Sequence, residues 1–229
     1  FFITVTVRPA PLLTFPLTET VCSHVAANRT LTISNGVPGT TYEWAAPTNT
    51  GGMTGGTAGA PLSTGPITDV FSNLTGAPQT ATYSVIPTSG AGCAGPASDV
   101  IITVNPYPAT TDISGESNLC VGSTNNIYEV TNTVGSTYNW TIPGHLTETF
   151  NNNLYFIIVD ATALGTNNIE VVETNSYGCI GETKLFPVTV SSFSVAETVS
   201  GPPVVCLGDA GVTYSVSDIA GSTYEKSDD

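Results

Sequence analysis

Three marks recur along this chain in a fixed order: a run ending in Val, then a Cys, then a Tyr-x-Trp element. The runs are "ITVTVRPAP" (3–11), "IITVNPYP" (101–108) and "PVTVSSFS" (187–194). Val7 to Val104 is 97 residues and Val104 to Val190 is 86, while Cys22 to Cys120 is 98 and Cys120 to Cys206 is 86. Two independent markers with matching periods establish an internal repeat, which constrains the architecture before any single residue does. Within it, "CVGSTNNIYEVTNTVGSTY" (120–138) aligns without gaps to "CLGDAGVTYSVSDIAGSTY" (206–224), placing Tyr128 on Tyr214, Val130 on Val216 and Tyr138 on Tyr224.

The spacings divide the chain into units at residues 11–106 and 107–192, with a third starting at 193 and incomplete at 229. Residues 1–10 read as the final strand of a preceding repeat, so the start reads as a cut or processed end. The first unit is longer mainly through "TNTGGMTGGTAGAPLSTG" (48–65). Its glycines permit sharp turns but supply no side chains for a core, which predicts a long surface loop. Each complete unit has the size of a small sandwich domain. The joins "NPYP" and "SSFS" are short, and Pro106 and Pro108 stiffen the first. That favours a rod of domains over flexible beads.

Thr, Val, Gly, Ser and Asn dominate the composition, while the good helix formers are scarce; this is the balance of strands joined by tight turns. The predicted fold is all-β: tandem immunoglobulin-like sandwiches arranged end to end. Four basic residues stand against 18 acids, for a net charge of −14. Such a surface repels nucleic acid and anionic lipid headgroups. No apolar run approaches the ~20 residues of a membrane helix, which argues against membrane insertion.

Five cysteines are an odd number, and the repeat offers a resolution. Cys22 is expected to pair with Cys93, and Cys120 with Cys179, leaving Cys206 unpaired. One bridge per unit implies an oxidising, extracellular compartment. No C-x-x-C occurs and the two histidines are far apart, so metal-ligand spacing is absent.

The element "GSTYNW" (135–140) has counterparts in "GTTYEW" (39–44) and "GSTYEK" (221–226). Residues i and i+2 of a strand share a face. Tyr42 with Trp44, and Tyr138 with Trp140, therefore read as large aromatics set into a sandwich core, with Tyr128 another core position. An exposed sugar-stacking platform is the alternative, but would need the rings outside, among polar neighbours.

The order C…Y-x-V…G-S-T-Y-x-W…N-x-x-G-C…V-T-V resembles the PKD-like, immunoglobulin-like repeats of very large secreted surface proteins of Bacteroidetes-type bacteria. Cys120, Tyr128, Val130, Gly135, Tyr138, Trp140, "NSYGC" (175–179) and "PVTV" (187–190) carry the resemblance. The first unit departs from it with "SGAGC" (89–93), and the third has Lys226 where Trp is expected. The resemblance implies a stalk, filament or adhesin exported to the cell surface, commonly by type IX secretion.

Nothing resembles a catalytic motif. His145, after Pro143-Gly144, reads as a solvated turn residue; a Ser/His/Asp triad could be imagined around it or His24, but nothing resembles G-x-S-x-G or a nucleophile with a nearby base. Glu170 and Glu173 in "NNIEVVETN" read as decoration of an exposed strand face rather than a glycosidase pair. Asp112 and Glu116 are weak candidates for Ca2+ at a domain junction; no other cofactor is expected. Asn28, Asn73 and Asn139 match the N-glycosylation triplet, which chance produces in a chain this rich in Asn and Thr. The reading is a non-catalytic shaft segment whose partners are neighbouring repeats, with surface glycans or other filament subunits as further candidates. The alternative is a carbohydrate-binding or spacer module of a secreted polysaccharide-degrading enzyme.

Overall fold

The structure is a computed structural model describing residues 1–59, 63–192 and 198–217. Every regular element among the described residues is a strand. In the first unit these are β1 (Thr18–Cys22), β2 (Thr41–Trp44), β3 (Thr48–Asn49), β4 (Thr54–Gly55), β5 (Phe71–Ser72), β6 (Gln79–Thr88) and β7 (Ser98–Asn105). One sheet runs β1-β7-β6-β2 with β3 also on β6, while β4 and β5 pair separately. Strand β1 joins β7 in parallel, setting Cys22 opposite Asn105, whereas β6 and β7 form an antiparallel hairpin.

The second unit follows the same plan with β8 (Asn118–Cys120), β9 (Asn126–Glu129), β10 (Thr137–Thr141), β11 (Leu146–Phe150), β12 (Phe156–Ala161), β13 (Gly165–Thr174) and β14 (Lys184–Ser191). Its sheets are β10-β13-β14-β8 and β11-β12-β9. Again the first strand, β8, lies parallel to the last, with Cys120 opposite Ser191.

Period-two alternation builds each core. Along β6, Ala81, Tyr83 and Val85 are fully buried, and Val100, Ile102 and Val104 of β7 join them in one cluster with Phe71 and Ile67. In the second unit Ile169 and Val171 of β13 meet Ile157 and Val159 of β12 across the sandwich. Two compact cores result, one per unit.

Several expectations need correction. Residues 48–65 were expected as a long surface loop. Instead β3 extends the main sheet, β4 pairs with β5, and Met53 is buried in the core. One apolar side chain and two short ladders suffice to fold this glycine-rich segment onto the domain; residues 60–62 lie outside the described residues. Residues 1–10, expected as a closing strand, join no ladder among the described residues, since a strand forms only against a partner's hydrogen-bonding edge.

In the third unit the bridge Ser200↔Ser215 and the hydrogen bond from the Tyr214 hydroxyl to the Pro202 carbonyl (3.0 Å) repeat Ser114↔Glu129 and the Tyr128 bond to the Glu116 carbonyl (2.6 Å). Tyr224 and Lys226 lie outside the described residues.

Candidate functional site at the junction of the sandwiches

The two sandwiches meet where β7 runs out at Asn105 and the chain passes through Pro106, Tyr107 and Pro108. Both prolines are buried. The Tyr107 N–H donates to the Asn73 carbonyl at 3.2 Å, and its ring packs edge-on against His24 with centroids 4.9 Å apart. From the second unit, the Asn175 side-chain amide donates to the Pro106 carbonyl at 3.0 Å. The link is thereby held by hydrogen bonds from both sides.

A disulfide closes this junction. Cys22, at the end of β1, is bonded to Cys179 in the β13–β14 hairpin, with a Cα–Cα distance of 5.6 Å and a sequence separation of 157. This overturns the expected pairs Cys22–Cys93 and Cys120–Cys179. The reason is strand direction. Because β1 is parallel to β7, Cys22 lies at the linker end of the sheet, while Cys93 sits in the β6–β7 hairpin at the other end. The eight residues of β7 separate those ends by ~25 Å, against the ~7 Å between Cα atoms that a disulfide spans. Cys120 and Cys179 are separated in the same way by β14. Cys93 is a half-buried free thiol, and Cys120 and Cys206 are exposed ones.

The aromatic residues singled out in the sequence lie in the cores. Tyr42 and Trp44 belong to the first cluster, Tyr128, Tyr138 and Trp140 to the second. The Trp140 indole N–H donates to the Leu154 carbonyl at 2.9 Å, and the Tyr138 hydroxyl accepts from the Thr133 N–H at 2.8 Å. Burial, with a smaller contribution from the Glu116 charge, pushes the Tyr128 phenol up to about 12 from its ordinary 10.0. The Tyr83 phenol is raised as well, by burial first and then by its 2.5 Å hydrogen bond to Asp69. A phenol that titrates later in the folded than in the unfolded state adds stability that is complete below pH ~10. It is lost as pH rises through the folded value. We expect denaturant midpoints to hold constant up to pH ~10 and to fall towards pH 12; a Tyr128→Phe variant followed by fluorescence should show a shallower fall.

Other residues are placed differently from expectation. Glu173 is 1% exposed rather than on an exposed face; three positions from Glu170, it belongs to the opposite, inward set with Ile169 and Val171. Hydroxyls of Thr110 and Ser136 donate to its two oxygens at 2.8 and 2.7 Å, which makes the burial tolerable. His145 is 8% exposed rather than solvated, and it lies so close to Gly165 that a Cβ there would come within 3.1 Å of its side chain. Asp112 pairs with the Lys184 ammonium at 3.4 Å, and no cluster of three or more potential metal ligands occurs among the described residues. Asn73, fully buried, uses its side-chain amide on the Ala77 and Val104 carbonyls, which closes it to glycosylation; Asn28 and Asn139 are exposed. This plug beneath the linker is not legible in the sequence, where Asn73 stands out only as an N-glycosylation triplet match.

Models of the PKD-like domain match residues 19–108 and, separately, 106–187. The chain is a PKD-like repeat region. The boundary between the two matches falls on the linker that carries Tyr107, so each sandwich is one PKD-like domain. No curated protein matches the chain in sequence. Among solved structures it is similar to the protocadherin gammaB4 extracellular domain, with 9% identity and a TM-score of 0.31 over 90% of this chain and 37% of that one. Fibronectin(III)-like modules of Clostridium thermocellum CbhA give 10% identity and a TM-score of 0.33 over 80% of this chain and 94% of theirs. A Bacteroides ovatus glucan-utilization protein, SGBP-B, solved with a mixed-linkage heptasaccharide, gives 14% identity and a TM-score of 0.29 over 84% of this chain and 50% of that one. No helix among the described residues is long and apolar enough to cross a membrane.

Proposed function

We propose that this PKD-like repeat region is a non-catalytic, structural and adhesive shaft segment of a large bacterial cell-surface protein or extracellular filament, exported by type IX secretion. The observation that carries the reading is the junction: a disulfide and a Pro-Tyr-Pro link with both prolines buried join one sandwich to the next. A covalent tie beside a hydrogen-bonded linker suppresses hinge motion, which is what a load-bearing or reach-giving shaft requires. The disulfide also fits an oxidising, extracellular location. Neighbouring repeats are the first partners of such a segment, with glycans or other filament subunits as what the shaft would meet.

Small-angle scattering tests the proposal. A rigid, elongated two-domain particle is expected, becoming measurably more flexible when reductant opens the junction. A particle equally flexible with and without reductant would overturn the shaft reading, and tight binding on a glycan array would favour a carbohydrate-binding module instead.

A further inference from the structure

The closed junction has two open counterparts on the same chain. Cys22 begins a turn in which the Val25 N–H donates to the Cys22 carbonyl at 3.1 Å, with His24 between them at φ 65°. Cys120 begins the same turn, Ser123 donating at 3.0 Å around Gly122 at φ 91°, and Cys206 begins it again, Asp209 donating at 3.1 Å around Gly208 at φ 102°.

The hairpin cysteines correspond equally well. Asn175 and Cys179 are bridged by backbone and side-chain hydrogen bonds of 3.0 Å each, and Ser89 and Cys93 by the same pair at the same lengths. Gly92 and Gly178 take matching left-handed positions, at φ 81° and 78°. At the entrance to each sandwich a proline passes against the glycine two residues beyond the cysteine: Pro108 against Gly181, and Pro11 against Gly95. Arg8 and Pro9 line a 580 Å3 cleft with Ser89 and Gly90, on the end of the first sandwich that corresponds to the Cys179 end of the second.

We propose that Cys93 and Cys120 are the two open halves of the clamp seen at Cys22–Cys179, so that a disulfide ties each PKD-like domain to the next along an end-to-end array. Cys120 bonds the hairpin cysteine of the domain that follows, one repeat beyond Cys179. Cys93 bonds the turn cysteine of the domain that precedes. Cys206 belongs to the same series as Cys22 and Cys120. The occupant of each half is thus a neighbouring PKD-like domain of the same polypeptide. The inference rests on reading the chain as part of such an array.

What distinguishes these cysteines from isolated surface thiols is the bond already formed between their equivalents. The alternative within one domain is closed by the length of β7 and β14. Formation of each clamp removes one proton and one electron from each of two thiols as the Sγ–Sγ bond forms. A disulfide oxidant of the extracytoplasmic compartment accepts both electrons and both protons and is reduced to two thiols.

The test is peptide mapping of the whole polypeptide, isolated from its cell into N-ethylmaleimide without reductant. The expected result is that Cys93 and Cys120 are both protected, each in a peptide disulfide-linked to a cysteine of an adjacent PKD-like domain. Recovery of either as the alkylated thiol, or bonded within its own domain, overturns the proposal. Electron microscopy of the same material separates this from the functional reading. Straight rods with free Cys93 and Cys120 would refute the clamps alone, whereas clamped domains in a compact particle would refute the shaft alone.

Discussion

Replacing Cys22 and Cys179 together by serine is expected to lower the stability of this chain by up to ~5 kcal/mol and to uncouple its two sandwiches. The bridge closes a loop of 157 residues, and the chain-entropy model assigns ~5 kcal/mol to a loop of that length. Part of that constraint survives in the variant, since the linker still holds Tyr107 against His24 and Pro106 against Asn175. Unfolding in denaturant without reductant should therefore change from a coupled transition to two separable ones, each with an earlier midpoint. Serine at both positions also avoids a lone thiol that could exchange with Cys93 or Cys120. If the double variant unfolded like the parent while Cys93→Ser destabilised the chain, the bridge would have to lie within the first domain.

The second large effect is expected at Trp140. Its indole is 7% exposed, sits on β10 across from Val171 and donates to the Leu154 carbonyl. Trp140→Ala should destabilise the second domain by ~3–5 kcal/mol, the range for emptying a large aromatic site. Part of that cost is the Leu154 carbonyl left without its donor. Trp140→Phe, which keeps most of the volume, should fall well below this. The first domain should keep its own transition, because Trp140 belongs to the second core and touches none of the first. An unchanged midpoint in Trp140→Ala would refute the core role.

The contrast between these residues shows what is legible in a sequence. Tyr138 and Trp140 stand two positions apart in a strand-like run, so period-two alternation alone assigns them to one face. Glu173 tests the same rule in the other direction. The run "NNIEVVETN" reads it together with Glu170 as decoration of an exposed face, yet its register with Val171 places it inward, and the Thr110 and Ser136 hydroxyls satisfy it there. Those two partners lie 63 and 37 residues away in sequence, so no local pattern could have shown them.

By itself the sequence determined the repeat, its period, the all-β class and the core aromatics Tyr42, Trp44, Tyr128, Tyr138 and Trp140, because those follow from local spacing and side-chain alternation. The tertiary structure alone decided which cysteines meet. Two cysteines per repeat allow a bond within a unit or a bond to the next one, and the repeat period is compatible with both. The choice depends on which end of the sheet each occupies. That is set by the parallel pairing of the first strand with the last, a long-range contact between β1 and β7 that no stretch of chain encodes on its own.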